Sequence, residues 1–243
     1  MSTAGAGSEP YDPDNLLDRI SRPGALEAHY HYTERREADV LRALLSLQSG
    51  DVLSVGCGWH PGRHLFPAPA FRITGVEPEP AVVERLLADG ALDEGVAGRA
   101  GELPFGPASF DVVLYRLVLH HIAYRGELSP CFLEAGRLLR PGGALVAIEP
   151  GLWHPVGAAL ALANRFHLGP LVHGTPDDVP LSPRRLLAEA RAAGLEPELR
   201  SVTYSWRRLP VRAQAAVRRL DRFGSRAGLR LLGHTLILVA RRR

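Results

Sequence analysis

A chain of 243 residues, 46% hydrophobic and 23% charged, is long enough to bury a full core and excludes an intrinsically disordered protein. All 29 basic residues are arginine, so a pI near 9.2 accompanies a net charge of only +3. With the abundance of alanine, glycine and proline this reads as coding bias and not as chemistry. Two cysteines, Cys57 and Cys131, exclude a disulfide framework and suit a reducing compartment. No secretory leader and no apolar run of about 20 residues is found, so a cytoplasmic protein without a membrane span is expected.

Residues 1–23 are rich in glycine, serine, proline and acids without periodicity, and are expected as a flexible arm ahead of a single domain over 24–243. From Gly24 to Gln48 apolar positions recur at helical spacing through Leu26, Tyr30, Val40, Leu41 and Leu44, which predicts an amphipathic helix. Asp51 to Val55 then reads as a short buried strand that breaks into the turn Gly56-Cys57-Gly58. Glycines there allow a tight reversal and the close approach of a ligand to the backbone. Pro61, Pro67 and Pro69 leave room for only a short helix around Gly62 to Phe66.

A second apolar run, Phe71 to Val76, ends in Glu77. An acid about 20 residues past the glycines, at a strand end, suits the paired hydroxyls of a ribose. The other reading of Glu77 is a carboxylate capping the helix that Pro78-Glu79-Pro80 opens. A weak third strand is expected around Gly95 to Gly98. The run Phe110 to Leu114, apolar apart from Asp111, predicts a fourth strand buried on both faces, with Tyr115 and Arg116 at its carboxyl end. A helix over Pro130 to Leu139, the turn Pro141-Gly142-Gly143 and a fifth strand from Ala144 to Ile148 follow, closed by Glu149-Pro150. Residues 151–180 are expected to form a lid over the carboxyl edge. Ser182-Pro183 is expected to cap a helix to Ala193, and strands are expected at Glu198 to Tyr204 and Thr235 to Ala240. Between those strands, over 207–233, lies an arginine-rich helical insertion. Its arginines, with Tyr204 and Trp206, read either as a solvated helix face or as a contact for nucleic acid or a phosphate.

A set of ordered motifs carries a resemblance. The glycine-rich turn and the acidic strand end are followed by Leu103-Pro104-Phe105 with Phe110-Asp111. Then come Leu119-His120-His121-Ile122 and Arg137-Leu138-Leu139-Arg140-Pro141-Gly142-Gly143. In these the chain resembles the class I S-adenosylmethionine-dependent methyltransferases, in the type-11 group acting mostly on small molecules. The resemblance implies a Rossmann-like α/β fold with a seven-stranded, mostly parallel sheet whose last strand is antiparallel, helices on both faces, and S-adenosylmethionine as cofactor.

The resemblance also implies cofactor contacts at Gly56, Cys57, Gly58, Glu77, Pro78, Ala100, Gly101, Glu102, Tyr115 and Arg116. Arg99 falls where the family's adenine-binding aspartate stands, and His60 where a third glycine often stands; both are departures. His121, His120 and His154 are candidate bases, because an imidazole titrates near neutrality and only some acceptors need a base. Tyr30, Tyr32, Arg35, Glu149, Trp153, His154 and His173 are candidate substrate contacts, and no metal-ligand spacing is found. The expected function is methyl transfer to a small organic acceptor, with O- or C-methylation favoured and a place in specialised metabolism. The alternatives are a protein of this fold without methyl transfer, such as a cyclase or a binding protein, and an RNA methyltransferase, although nucleic acid is not the expected partner.

Overall fold

The computed structural model describes residues 23–58, 61–101, 103–168 and 179–243. The expected N-terminal arm up to residue 22, the lid stretch 169–178 with His173, and His60 and Glu102 lie outside the described residues. In chain order the elements are α1 (Pro23–Leu44), β1 (Gly50–Val55), β2 (Phe71–Glu77), α2 (Pro80–Ala88), β3 (Glu94–Ala97), β4 (Phe110–Arg116) and α3 (Leu119–Arg125). They continue with α4 (Ser129–Leu138), β5 (Leu139–Pro150), α5 (Pro155–Arg165), α6 (Pro183–Ala192), β6 (Glu196–Thr203) and α7 (Val211–Arg218). A 3-10 turn (Arg219–Phe223) and β7 (Thr235–Arg241) complete the chain.

The strands form one sheet in the order β3-β2-β1-β4-β5-β7-β6. The first five are parallel to their neighbours, and β7 runs antiparallel between β5 and β6. The order reverses between β1 and β4, so the carboxyl ends of these two strands splay apart and leave a crevice.

Alternation along the strands builds two cores. On one face Leu53 and Val55 of β1 and Val113 and Tyr115 of β4 pack with Phe132 and Leu138 of α4 and Leu186 of α6. On the other, Val52, Ile73, Val112 and Leu114 pack with Val40, Leu41 and Leu44 of α1 and Leu86 of α2. Both faces of β4 are therefore covered, which is why its stretch Val112 to Leu114 is apolar without a break. Each such side chain, once removed from water, contributes roughly 1.5–3 kcal/mol.

Several boundaries differ from expectation for local reasons. After β1 no helix forms over 62–66. A single turn is closed there by the N–H groups of Leu65 and Phe66 on the Gly62 carbonyl, at 2.9 and 3.0 Å. Helix α1 stops at Leu44, short of Gln48, and Ser182 stands at the N-cap of α6 without a capping side-chain bond. The lid region contributes α5, and helical structure in the arginine-rich insertion is confined to 211–223. Helix α3 was not anticipated.

Candidate cofactor cleft and active site

A cleft of about 630 Å³ opens above the carboxyl ends of β1, β2 and β4. Its first wall is the turn Gly56-Cys57-Gly58. The N–H groups of Gly56 and Cys57 both donate to the Val76 carbonyl, at 2.8 and 3.3 Å, and tie the turn to β2. Gly56 has φ +65° and Gly58 φ +36°, where a side chain is strained. A Cβ on Gly56 would lie 2.4 Å from Val118 Cγ2, whereas one on Gly58 would meet, among the described residues, nothing nearer than the Gly56 carbonyl oxygen at 3.8 Å. Gly56 thus lets two chain segments touch, and Gly58 leaves cleft space open.

Glu77 ends β2 and lines the cleft beside Pro78. Its Oε2 accepts the N–H of Gly58 at 3.0 Å, across 19 residues of sequence. This bond fixes a carboxylate over the turn, the arrangement that suits vicinal hydroxyls of a ribose. Cys57 is buried next to it. Burial and the Glu77 charge push its thiol up to about 12, so it stays protonated and is no nucleophile. Farther along, Gly98, Arg99, Ala100 and Gly101 line the cleft. Arg99 is exposed, no acidic side chain stands at that position, and Glu127 lines the same cleft beside Arg125 and Pro130.

The opposite wall follows β4. Leu117 has φ +55°, and its N–H donates to the Ile148 carbonyl at 2.8 Å. Val118, His121 and Ile122 line the cleft; His120 does not, being 4% exposed. Glu149 lies wholly buried behind them. Its Oε1 accepts the N–H groups of Val118 and Leu119 at 3.0 and 2.8 Å, and its Oε2 contacts His120 Nδ1 at 2.6 Å. The carboxylate thereby neutralises the amino end of α3 and holds the His120 ring, which lies 4.0 Å from that of His121 between centroids.

Arg116, at the end of β4, also lines the cleft. Its Nε and Nη2 donate to the two carboxylate oxygens of Glu37 on α1 at 2.9 and 3.3 Å, and His64 Nε2 lies 2.9 Å from Glu37 Oε2. Glu37 is 1% exposed. Burial alone would raise its pKa, but the Arg116 and His64 contacts more than offset that and hold it at about 2. Neither Glu37 nor His64 was singled out in the sequence. The available signal was an acid at i−3 and i−4 from Val40 and Leu41, inside the buried stripe of α1.

Other candidates lie elsewhere. Tyr115 is fully buried in the core, its hydroxyl donating to the Cys131 carbonyl at 3.1 Å, and it does not line the cleft. Tyr30 accepts from Arg207 at 2.7 Å and Tyr32 donates to Asp221 at 2.7 Å, so both join α1 to the insertion and neither reaches the cleft; Arg35 is exposed. Glu149 is a scaffold for the β4–α3 loop and not a cleft-facing group. His154 caps α5: Nδ1 accepts the Val156 N–H at 3.3 Å and Nε2 lies 3.1 Å from the Tyr204 carbonyl. Burial lowers its pKa, and both ring nitrogens are engaged away from the cleft. Trp153 lies under the Arg184 guanidinium, 5.3 Å from it. Among the described residues no cluster of three or more His, Cys, Asp or Glu is arranged for a metal, and no helix is long and apolar enough to cross a membrane.

The strand order, the glycine turn and the acidic end of β2 define the class I methyltransferase architecture. Residues 53–147 match the type-11 methyltransferase family, described as a methyltransferase domain. The chain is 33% identical over 148 residues to a probable S-adenosylmethionine-dependent methyltransferase of Mycolicibacterium smegmatis, covering 57% of this chain and 55% of that protein. It is 36% identical over 172 residues to the 27-O-demethylrifamycin SV methyltransferase of Amycolatopsis mediterranei, covering 67% and 60%. The chain therefore spans less than two thirds of the length of either relative. The crystal structure of geranyl diphosphate C-methyltransferase from Streptomyces coelicolor A3(2), solved with S-adenosyl-L-homocysteine, superposes with a TM-score of 0.62 at 17% identity, over 100% of this chain and 94% of that one. Over residues 53–147 the chain thus matches a methyltransferase-domain family, and its sheet has the Rossmann-like fold of the solved methyltransferases.

Proposed function

We propose that the protein is an S-adenosylmethionine-dependent methyltransferase acting on a small organic acceptor, with O- or C-methylation favoured. The observation that carries this reading is the Glu77–Gly58 bond at the mouth of a cleft with open space at Gly58. Such a cradle fits a nucleoside, with the sugar hydroxyls on Glu77 and the ring against Ala100 and Gly101. When bound, the cofactor supplies an already activated methyl group on a sulfonium centre. What this chain adds is position: the cleft walls hold acceptor and methyl in line and exclude water. His121 is the imidazole on that wall, and its role is to take a proton from a hydroxyl or carbon acid as the methyl is transferred. The rifamycin O-methyltransferase among its relatives supports a small-molecule acceptor and a setting in specialised metabolism.

Calorimetric titration with S-adenosylhomocysteine tests the cofactor half of the proposal, and binding is the expected result. Absence of binding, or binding of a nicotinamide dinucleotide in its place, would end it. For the base, His121→Ala at saturating cofactor should lower turnover by about 100-fold with little change in S-adenosylhomocysteine affinity. A loss smaller than about tenfold removes His121 as the base.

A further inference from the structure

Over residues 207–233, a ninth of the chain, stand eight of its 29 arginines and a single acid, Asp221. Coding bias selects arginine over lysine everywhere; it does not gather arginines in one stretch. Three of the eight are held inward: Arg207 donates to Tyr30, Arg218 to the Ala28 carbonyl, and Arg208 is buried. Arg212, Arg219, Arg222, Arg226 and Arg230 are exposed, and among the described residues no ion pair joins them to an acid.

Helix α7 turns its faces the unusual way round. Gln214 and Arg218, one turn apart, point into the protein. Gln214 Nε2 donates to the Arg207 and Leu209 carbonyls at 3.1 and 2.8 Å, and Arg218 Nη2 to Gln214 Oε1 at 2.7 Å and the Ala28 carbonyl at 3.1 Å. The exposed residues, continued into the 3-10 turn, are Val211, Arg212, Ala215, Ala216, Arg219 and Leu220. Their spacing puts them on one side of a helix. Val211 and Leu220 are 54% and 49% exposed. A surface helix ordinarily keeps its apolar stripe for the core and its polar one for water. Here water meets apolar groups and cations. The stretch leaves the sheet after Thr203 and returns at Thr235, which pairs with Pro150 at the carboxyl end of β5. It therefore stands at the edge on which the cleft opens. At that edge α5, which follows β5, exposes Leu162 and, at its C-cap, Phe166.

We infer that this face is a docking surface for a membrane bearing anionic lipids, with α7 lying flat on it. The aliphatic side chains enter the headgroup layer and the guanidiniums reach the phosphates. A nucleic acid would need groups between the cations that stack on bases or bond their edges, and Val211, Ala215, Ala216 and Leu220 do neither. A second copy of the same cationic face would be repelled. The docking does not depend on the cofactor reading, since the residues that carry it do not line the cleft.

Flotation of the full chain with phosphatidylcholine vesicles, with and without an equal part of phosphatidylglycerol, tests the inference. Binding is expected to the anionic vesicles, weakening as salt is raised, and little to the neutral ones. Each exposed arginine is worth about fivefold in partitioning, so Arg212→Gln with Arg219→Gln should weaken binding about 25-fold. Val211→Ser with Leu220→Ser should weaken it at least about tenfold, although no charge is lost. All four side chains are exposed, so both double variants should keep the urea midpoint of the unaltered protein. Equal binding to the two vesicle types, binding to neither, or unchanged binding in either folded double variant overturns the inference. Duplex RNA bound at physiological salt, with anionic vesicles left unbound, assigns the face to nucleic acid instead.

Discussion

Gly56 and Gly58 are two residues apart in one turn, yet a side chain at each would fail for a different reason. At Gly56 the added atom collides with Val118, so Gly56→Val perturbs the packing of the loop itself. It should destabilise the protein by a few kcal/mol as well as abolish binding, since overpacking and a left-handed φ both oppose it. Gly58→Ala is the cleaner probe. Its methyl group enters open cleft and meets only the left-handed backbone cost of about 1–2 kcal/mol. We expect at least about a tenfold loss of S-adenosylhomocysteine affinity, with a loss of urea stability no larger than that backbone cost. Unchanged affinity in a folded Gly58→Ala protein would mean that the ligand does not approach this turn.

Among the elements, α3 shows how far a sequence can be read. It has seven residues, too few to persist on intrinsic propensity, and what fixes it is Glu149, 30 residues beyond Leu119. Nothing local in Leu119-His120-His121 announces that carboxylate. The strand β4, by contrast, was legible because burial on both faces forces a largely apolar run, and the glycine turn because two φ values there are positive. The insertion falls between these cases. Its arginines suggested a solvated face or a phosphate contact; in the fold Arg207 donates to Tyr30, and Arg218 to Gln214 and the Ala28 carbonyl, while Arg212 and Arg219 remain exposed. Contacts with α1 across some 180 residues leave no periodic trace. Glu149→Ala tests the α3 argument. It leaves buried N–H groups and an imidazole without their acceptor and should cost about 3 kcal/mol or more in urea unfolding. A change below about 0.5 kcal/mol would show that the loop holds itself.

For the whole molecule, two buried imidazoles, His29 and His154, and the half-buried His234 have charge states linked to folding. His29 on α1 is pushed down to about 3, by burial first and then by the Arg218 and Arg207 charges. Burial lowers His154, and His234 is held well below the usual histidine range by burial first and then by His154, His29 and Arg207. The His154 and His234 rings meet edge to face at 5.3 Å, between the N-cap of α5 and the entry to β7, whereas His29 Nε2 contacts Thr33 Oγ1 within α1 at 3.3 Å. An imidazole with a depressed folded pKa stays neutral in the native state while the unfolded chain takes up its proton below about pH 6.5. Stability is therefore complete above that pH and declines as acid is added. The slope is at most about 1.4 kcal/mol per pH unit for each histidine. Glu37, held at about 2, adds its own loss only below the ordinary glutamate range, and Asp221, raised by burial, works in the opposite sense. Between pH 7.5 and 5.0 the histidines should dominate. His29 alone should account for roughly 2 kcal/mol of lost unfolding free energy, and the three together for more. Urea unfolding at the two pH values measures this, and in His29→Gln the difference should shrink by about the single-histidine share. A pH-independent free energy over that interval would require that these histidines charge without cost, which their burial does not permit.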